Sequence, residues 1–484
     1  MKKDSVLYEN LRVSLPGIDH IEEMYIENIV NEHPIMKLKV VLEEGIKDTY
    51  FHYTNEQTNI TVYYEKEKKD TEVIFSGVIT KAKVKAFDNI YTLEIEAKSS
   101  SYYIDIYKVK KTFQDISMTS HELISEVMKK YSFLKYKINI PNEPIGEFIL
   151  QYEETDYKFL KRFLSRYNEM IYIIPSGDKY NIYFGVPDNK VDMKEEINNY
   201  SVTKKINEYN YAVKNDNSKV SMIDYVTYRV KLRTWLDIGE SFSFKGNRFY
   251  VAEAIHKLED GVVVNDYYIR AKDGLRHNRI YNDKVIGISL FGTIAEVKRD
   301  RVKVNLEIEE VQDKSKLYWF PYASVAASPD GGGWYCMPEI GERIRLNIPD
   351  KDEKKAFVIN SIDSHEASNS SSSSSGGADR MSTPENKSLQ TDAGQEVKFT
   401  PSGVSIASTS GAANMNLNND GTVTITGKTK INIACANELA IRGENEVNIK
   451  AKDTVNIVCE SGSKLTINKS DNITANGERI LNNG

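Results

Sequence analysis

The residue types that usually carry chemistry are present in this chain, but not at the spacings chemistry needs. His121-Glu122 opens like the zinc helix of a metalloprotease, yet no second histidine follows four residues later to complete a metal pair. Ser132/Lys135 and Ser201/Lys204 each match S-x-x-K, and Ser470-Asp471-Asn472 matches S-D-N. No K-T-G completes that acyl-transfer set. Gly331-Gly332-Gly333 lacks the lysine of a phosphate loop, and neither a nucleophile elbow nor a dinucleotide fingerprint occurs. Glu153, Glu154 and Asp156 cluster without the partner carboxylate a glycosidase requires, so they read as solvated or helix-capping residues. The other histidines (His20, His33, His52, His256, His277 and His365) are dispersed. Cys336, Cys435 and Cys459 are too few for a zinc site or a disulfide framework. The residues therefore predict no catalytic site, no cofactor and no metal. The chain reads as built for shape.

The elements that would position these residues are mostly strands. Tyr91 to Ala97 and Arg301 to Ile308 alternate apolar and polar residues, as does Arg343 to Ile348, which is the period of half-buried strands. Val73 to Phe87 reads as a strand bent or bulged at Gly77. Two stretches switch to helical spacing. Thr119-Ser120-His121-Glu122 forms a capping box ahead of Leu123, Ile124, Val127, Met128 and Tyr131. Thr155-Asp156 opens a helix with Leu160, Phe163, Leu164 and Tyr167 on one face.

Composition divides the chain further. At 484 residues it predicts several modules. Its 64 Lys+Arg against 70 Asp+Glu show no basic surplus of the kind nucleic-acid binding needs. The start, MKKDSVLYENLRV, has no apolar run behind its lysines, and no 18-residue apolar stretch occurs anywhere, so neither a secretory signal nor a membrane helix is predicted. Residues 1–280 are β-rich with a few helices, and residues 281–363 predict a small five-stranded barrel of the OB type. Residues 364–396 contain six consecutive serines, Ser370 to Ser375, and read as a flexible linker.

Residues 397–475 carry an octad repeat of apolar pairs separated by one mostly polar residue. The pairs are Met415/Leu417, Val423/Ile425, Ile431/Ile433, Leu439/Ile441, Val447/Ile449 and Val455/Ile457, resuming at Leu465/Ile467 after a two-residue insertion. Small residues follow most pairs, among them Gly427, Cys435, Gly443, Ala451 and Cys459. Fixing a residue costs about 1–2 kcal/mol, whereas a fully buried apolar side chain returns only about 1.5–3 kcal/mol. With two apolar residues in eight, one chain cannot stabilise this segment alone. Several copies sharing an axis can, and a threefold prism uses one stripe per chain. The cysteines then serve as small core residues. The octads predict an intertwined homotrimeric needle, with 476–484 as its tip; a monomeric β-solenoid is the alternative.

One segment gives the arrangement a family. Leu150-Gln151-Tyr152-Glu153-Glu154-Thr155-Asp156-Tyr157-Lys158-Phe159-Leu160-Lys161-Arg162-Phe163-Leu164 resembles the QYxESDxxFLxRLL signature of the VgrG-type spikes of type VI secretion and related contractile injection systems. Its signature positions here are Gln151, Tyr152, Glu153, Asp156, Phe159 and Leu160. Phe75-Ser76-Gly77-Val78-Ile79 is similar to the family's FxGxV strand. Gly239-Glu240-Ser241-Phe242 with Tyr250-Val251 is similar to the close of its hub. Gly292 to Val304 and Pro338-Glu339-Ile340-Gly341-Glu342 are similar to its OB module, and the octads to its β-prism. The resemblance implies a mainly β homotrimer. Its parts would be a hub of two β-barrel-like modules in 1–280, an OB-fold barrel, and a triple-stranded β-helix needle. It implies a non-enzymatic spike that docks the hexameric inner tube and baseplate proteins, carries a PAAR-type tip protein and separate effectors, and is driven through a target membrane or cell wall. Assembly would take place in the cytoplasm, followed by ejection into or through the target envelope. A prophage or phage-like tail hub, an envelope glycan hydrolase and a receptor-binding fibre are the alternatives.

Overall fold

The computed structural model describes residues 6–43, 58–65, 71–88, 90–176, 181–187, 189–215, 221–276, 278–310, 313–324, 326–327, 333–334, 336–362, 383, 385–391, 393–458, 464–468 and 473–476. Most of the serine-rich linker, Ser461-Gly462, Cys459, Ser470-Asp471-Asn472 and most of the tip lie outside the described residues. The chain divides into two units, Met1–Ser364 and His365–Gly484.

In the first unit, alternation builds one long antiparallel sheet. Its strands run in the order Leu11–Val13, Asn59–Glu65, Thr71–Phe87, Ile90–Ser99, Ile35–Leu42, Ile18–Ile29, Asn247–Glu259, Val262–Arg270, Val226–Leu232 and Tyr200–Lys204, with Ser241–Phe244 also paired to Asn247–Glu259. The two halves meet where Glu253 to Lys257 pair with Tyr25 to Ile29. Each half has its own core. Met36, Leu38, Val40, Phe75, Leu93 and Ile95 pack in the first; Val230, Leu236, Phe242, Phe249, Tyr267 and Ile269 pack in the second. Gly77 lies inside Thr71–Phe87 between two register shifts, one between Val73 and Phe75 against Asn59–Glu65 and one between Ile79 and Lys81 against Ile90–Ser99. The glycine is needed because a Cβ there would lie 2.1 Å from the Lys98 carbonyl oxygen on the neighbouring strand.

Between the halves of this sheet, a third core is built on helices α1 (Ser120–Met128) and α2 (Asp156–Leu164). Helix α1 starts on the expected capping box: Thr119 Oγ1 accepts from the Glu122 amide at 3.3 Å, and Glu122 Oε2 accepts from the Thr119 amide at 2.7 Å. Leu123, Ile124, Val127 and Met128 are buried, as their spacing predicts. A five-stranded barrel sheet follows, in the order Trp319–Pro321, Arg301–Leu306, Ile288–Lys298, Arg343–Ile348 and Phe357–Ile362. Its core holds Val302, Val304, Phe320, Ile344, Leu346 and Val358. Gly292 permits the closest strand approach there, since a Cβ would meet the Asn305 carbonyl oxygen at 2.6 Å.

The second unit contains two antiparallel meanders. One links Lys387–Gln390, Glu396–Thr400, Gly403–Ala407, Ala413–Asn418 and Val423–Gly427; the other links Thr454–Val458, Lys464–Asn468 and Ile473–Asn476. Residues 428–453, which hold the central octads, form no strand within the single chain.

Candidate functional site at the hub–barrel junction and along the octads

The family-like segment is a strand, Ile149–Thr155, running into α2, and its alternation feeds two cores at once. Phe148 and Leu150 point into the barrel core; Ile149 packs with the helices. Phe148 meets Phe320 edge-on with ring centroids 4.9 Å apart. Period-two geometry makes this possible, because successive side chains leave a strand on opposite faces.

Each signature residue has a structural task. Gln151 is fully buried and donates from Nε2 to Asp156 Oδ1 at 2.8 Å. Asp156 Oδ2 accepts from Lys130 Nζ and from the Tyr131 hydroxyl, both at 2.8 Å, so one carboxylate ties the end of α1 to the start of α2. Burial, reinforced by Asp156, pushes the Tyr131 hydroxyl well above the usual tyrosine range. Phe159 and Leu160 are fully buried, and Phe159 stacks on Phe113 at 5.3 Å. The Tyr152 carbonyl accepts from Asn282 Nδ2 at 2.8 Å. Glu153 sits where the pairing with Lys108–Phe113 shifts register, at φ 50°, and its carboxylate meets Lys110 Nζ at 2.9 Å.

Glu154 and Asp156 are not solvated. Asp156 is 1% exposed, and Glu154 enters a buried ion network that joins α2 to the segment of the barrel holding Glu353. Arg162 Nη2 donates to Glu154 Oε1 at 2.6 Å and to the Leu150 carbonyl at 2.8 Å; Nη1 donates to Glu353 Oε1 at 2.7 Å. Arg166 extends the network to Glu353 Oε2 at 3.5 Å and to Glu147, which also takes Arg279 at 3.2 Å. Three guanidinium groups thus face three carboxylates. Burial raises the Glu154 carboxyl above its ordinary range despite Arg162. Burial alone would lower Arg162, but Glu353 and Glu154 raise it, which keeps it charged. A second tether runs from Glu309 of the barrel to the Thr112 amide and hydroxyl, the latter at 2.8 Å. Sequence reasoning missed Arg162 and Glu353 as partners; their separation of 191 residues leaves no local pattern.

The octads are arranged differently. Within the single chain no described side chain from 383 to 476 is buried. Ile433 and Ile441 are each 66% exposed and Ile449 is 67% exposed; Leu417, Val423, Ile425, Ile431, Leu439, Val447, Ile457 and Ile467 are exposed too. Met415 and Val455 are half-buried. Where pairing is present it keeps each apolar pair on one face: Met415 opposes Ile425 and Leu417 opposes Val423, and farther on Val455 opposes Ile467 and Ile457 opposes Leu465. Cys336 and Cys435 are exposed, and among the described residues no three His, Cys, Asp or Glu side chains converge as a metal site. No described helix is long and apolar enough to cross a membrane.

Comparison with known proteins agrees with this architecture. Residues 291–362 match the model of the type VI secretion system/phage-baseplate injector OB domain. No curated protein matches the sequence. Among solved structures, the chain is similar to the Escherichia coli c3393 protein, described as a type VI secretion component resembling the T4 bacteriophage tail proteins gp27 and gp5. The identity is 11% and the TM-score 0.51, covering 72% of this chain and 98% of that one. It is also similar to a chain of the lidded Francisella PdpA–VgrG complex, at 10% identity and TM-score 0.51, over 86% of this chain and 79% of that one. The fold is therefore that of the VgrG-type spikes, mainly β with an OB barrel, and the resemblance carried by the sequence motifs extends to the architecture.

Proposed function

We propose that this chain is the central spike of a contractile injection machine. Three copies join into a hub over residues 1–280 that docks the hexameric inner tube and baseplate proteins. Residues 397–475 of the three copies wind into a needle that carries a PAAR-type tip protein and breaches the target envelope, with separate effectors delivered alongside. In this reading the chain is structural rather than catalytic. It assembles in the cytoplasm and acts in or beyond the envelope of the target. The fourteen positions of the octad pairs, Met415 to Ile467, form the needle core.

The observation that carries the reading is the uncovered octad stripe. From Val423 to Ile449 the paired isoleucines, leucine and valines are each at least half exposed; such a run is unstable in water unless something covers it, and contiguous exposed apolar surface marks an interaction site. A closed three-chain prism covers it and leaves no free sheet edge along the shaft, the property a puncturing rod needs. The junction network suits the same role, because force along the axis would pass between hub and barrel through buried charge pairs. The test is the mass and shape of the purified full-length protein. Light scattering at three times the 55.1 kDa chain mass, with a threefold hub and thin rod in electron micrographs, is the expected result. A monomeric mass would refute it.

A further inference from the structure

We infer that the cavity between Lys108, the signature segment Glu153 to Arg162 and the stretch Ile280 to Lys284 is a binding site for a small phosphomonoester. The site stands apart from the spike reading, because every residue lining it belongs to one chain and to the first unit.

The cavity measures about 570 Å³. Sites for small organic ligands usually fall between about 300 and 1,000 Å³. Five cations and three carboxylates line it, a surplus of two positive charges. Pairing within the fold does not remove that surplus. Arg162 is engaged by Glu154, with Nη2 to Oε1 at 2.6 Å, and Lys161 by Glu32 at 3.3 Å. Glu153 is held by Lys110 at 2.9 Å, from outside the cavity. Three lysines remain. Among the described residues Lys108 and Lys158 make no ion pair, and Lys284 Nζ donates to the Glu153 carbonyl at 2.8 Å, which leaves its charge uncancelled. Asp105, the carboxylate that feels Lys158, is already bonded to Thr155 Oγ1. Against the three lysines stands one lining carboxylate without an ion pair among the described residues, Asp283.

The chemistry of the free groups selects the ligand. All three are ammonium groups on exposed side chains, whereas the guanidinium of Arg162 is already held. An ammonium is a compact point charge with three donors and no planar fork, so it favours concentrated negative charge over the flat geometry of a carboxylate. A phosphomonoester carries about −1.5 to −2 at pH 7 on three acceptor oxygens. One such group therefore meets both the surplus of two charges and the three lysines; one carboxylate would meet half of it. Ile280 and Tyr281 supply uncharged wall on which the organic body of the ligand can rest. Arg279 and Lys351 lie over the Tyr281 ring, at 5.2 and 4.7 Å from its centroid, and extend the positive field around the cavity.

Isothermal titration calorimetry of the full-length protein at low ionic strength tests the site, with phenyl phosphate and inorganic phosphate as the probes. Phenyl phosphate should bind, and more tightly than inorganic phosphate. Lys158→Ala, and Lys108→Ala with Lys284→Ala, should each weaken it at least about tenfold, the loss of one charge-assisted hydrogen bond. Lys298→Ala, at an exposed barrel lysine outside the cavity, should leave it unchanged. Asp283→Asn removes the unpaired carboxylate and should tighten binding by about two- to fivefold, a gain that no folding defect can produce. Failure of both probes to bind, or lysine variants that bind like the parent, would overturn the site. Equal affinity for the two probes would overturn the phosphomonoester in favour of the free anion. None of these outcomes alters the mass or shape of the particle, on which the spike reading is tested.

Discussion

The junction strand Ile149–Thr155 and the octad segment are both built on alternation, yet they close their surfaces in opposite ways. At the junction every apolar residue finds its cover inside the chain: Phe148 and Leu150 in the barrel, Ile149 and Phe159 among the helices. Its charges are paired there too, through Arg162, Glu154 and Glu353. Along the octads the same kinds of side chain stand in solvent. In the spike proposed above, the difference is one of stoichiometry. A strand with two apolar neighbours in its own fold makes a monomer core, whereas a repeat with two apolar residues in eight has a core only when copies assemble.

The largest expected effect tests that contrast directly. Ile433→Asp with Ile441→Asp would bury charge at the shared axis, where unpaired carboxylates are strongly disfavoured, and should abolish trimer assembly. Thermal unfolding of the hub–barrel unit should be unchanged. An SDS-resistant trimer surviving the double substitution would show that these positions are not the shared core. The converse experiment is Arg162→Leu, which strands Glu154 in the interior and leaves Glu353 only the longer contact with Arg166 at 3.5 Å. Breaking a buried ion pair from one side costs about 3–5 kcal/mol. Urea unfolding followed by a hub-specific signal should show that loss; one below about 1 kcal/mol would mean water reaches the network.

How much of this was legible follows the same division. The capping box at Thr119 and the alternation of Arg301 to Leu306 could be read because each is a local pattern. Glu154 and Asp156 were misread as solvated or capping residues because their burial is created by partners distant in sequence, Glu353 for one and Lys130 with Tyr131 for the other. A signal did exist: Arg162 lies on α2 among Phe159, Leu160 and Phe163, where a lone cation implies a buried anion.

Glu309 gives a smaller effect with a defined sign. Burial raises its carboxyl above the ordinary glutamate range, opposed by the Thr112 amide and hydroxyl. The folded state therefore holds this proton more tightly than the unfolded chain does. Its contribution to stability is fully present below the unfolded value of about 4.3 and is lost as pH rises through the raised value. Glu309→Gln removes the titration. Relative to the parent protein, the variant should gain stability as pH is raised from about 4 toward neutrality, by less than the Arg162→Leu loss. A difference that is flat with pH would mean the carboxyl is hydrated.

The smallest effect concerns Glu153, which with Tyr152 is one of the two signature residues only half-buried. Its φ of 50° belongs to the left-handed region, where a side chain costs about 1–2 kcal/mol relative to glycine. Glu153→Gly relieves that cost but loses the Lys110 pair, and Glu153→Ala loses the pair and keeps the strain. An exposed pair contributes about 0–1 kcal/mol. Both variants lose the pair, so they should differ by about 1–2 kcal/mol in favour of glycine, with the parent protein between them or level with the better one. If alanine equals glycine, the backbone at the register shift is not strained. If both fall well below the parent, the carboxylate of Glu153 does more than pair with Lys110. In that case the junction, like the proposed shaft, would depend on a contact from outside the single chain.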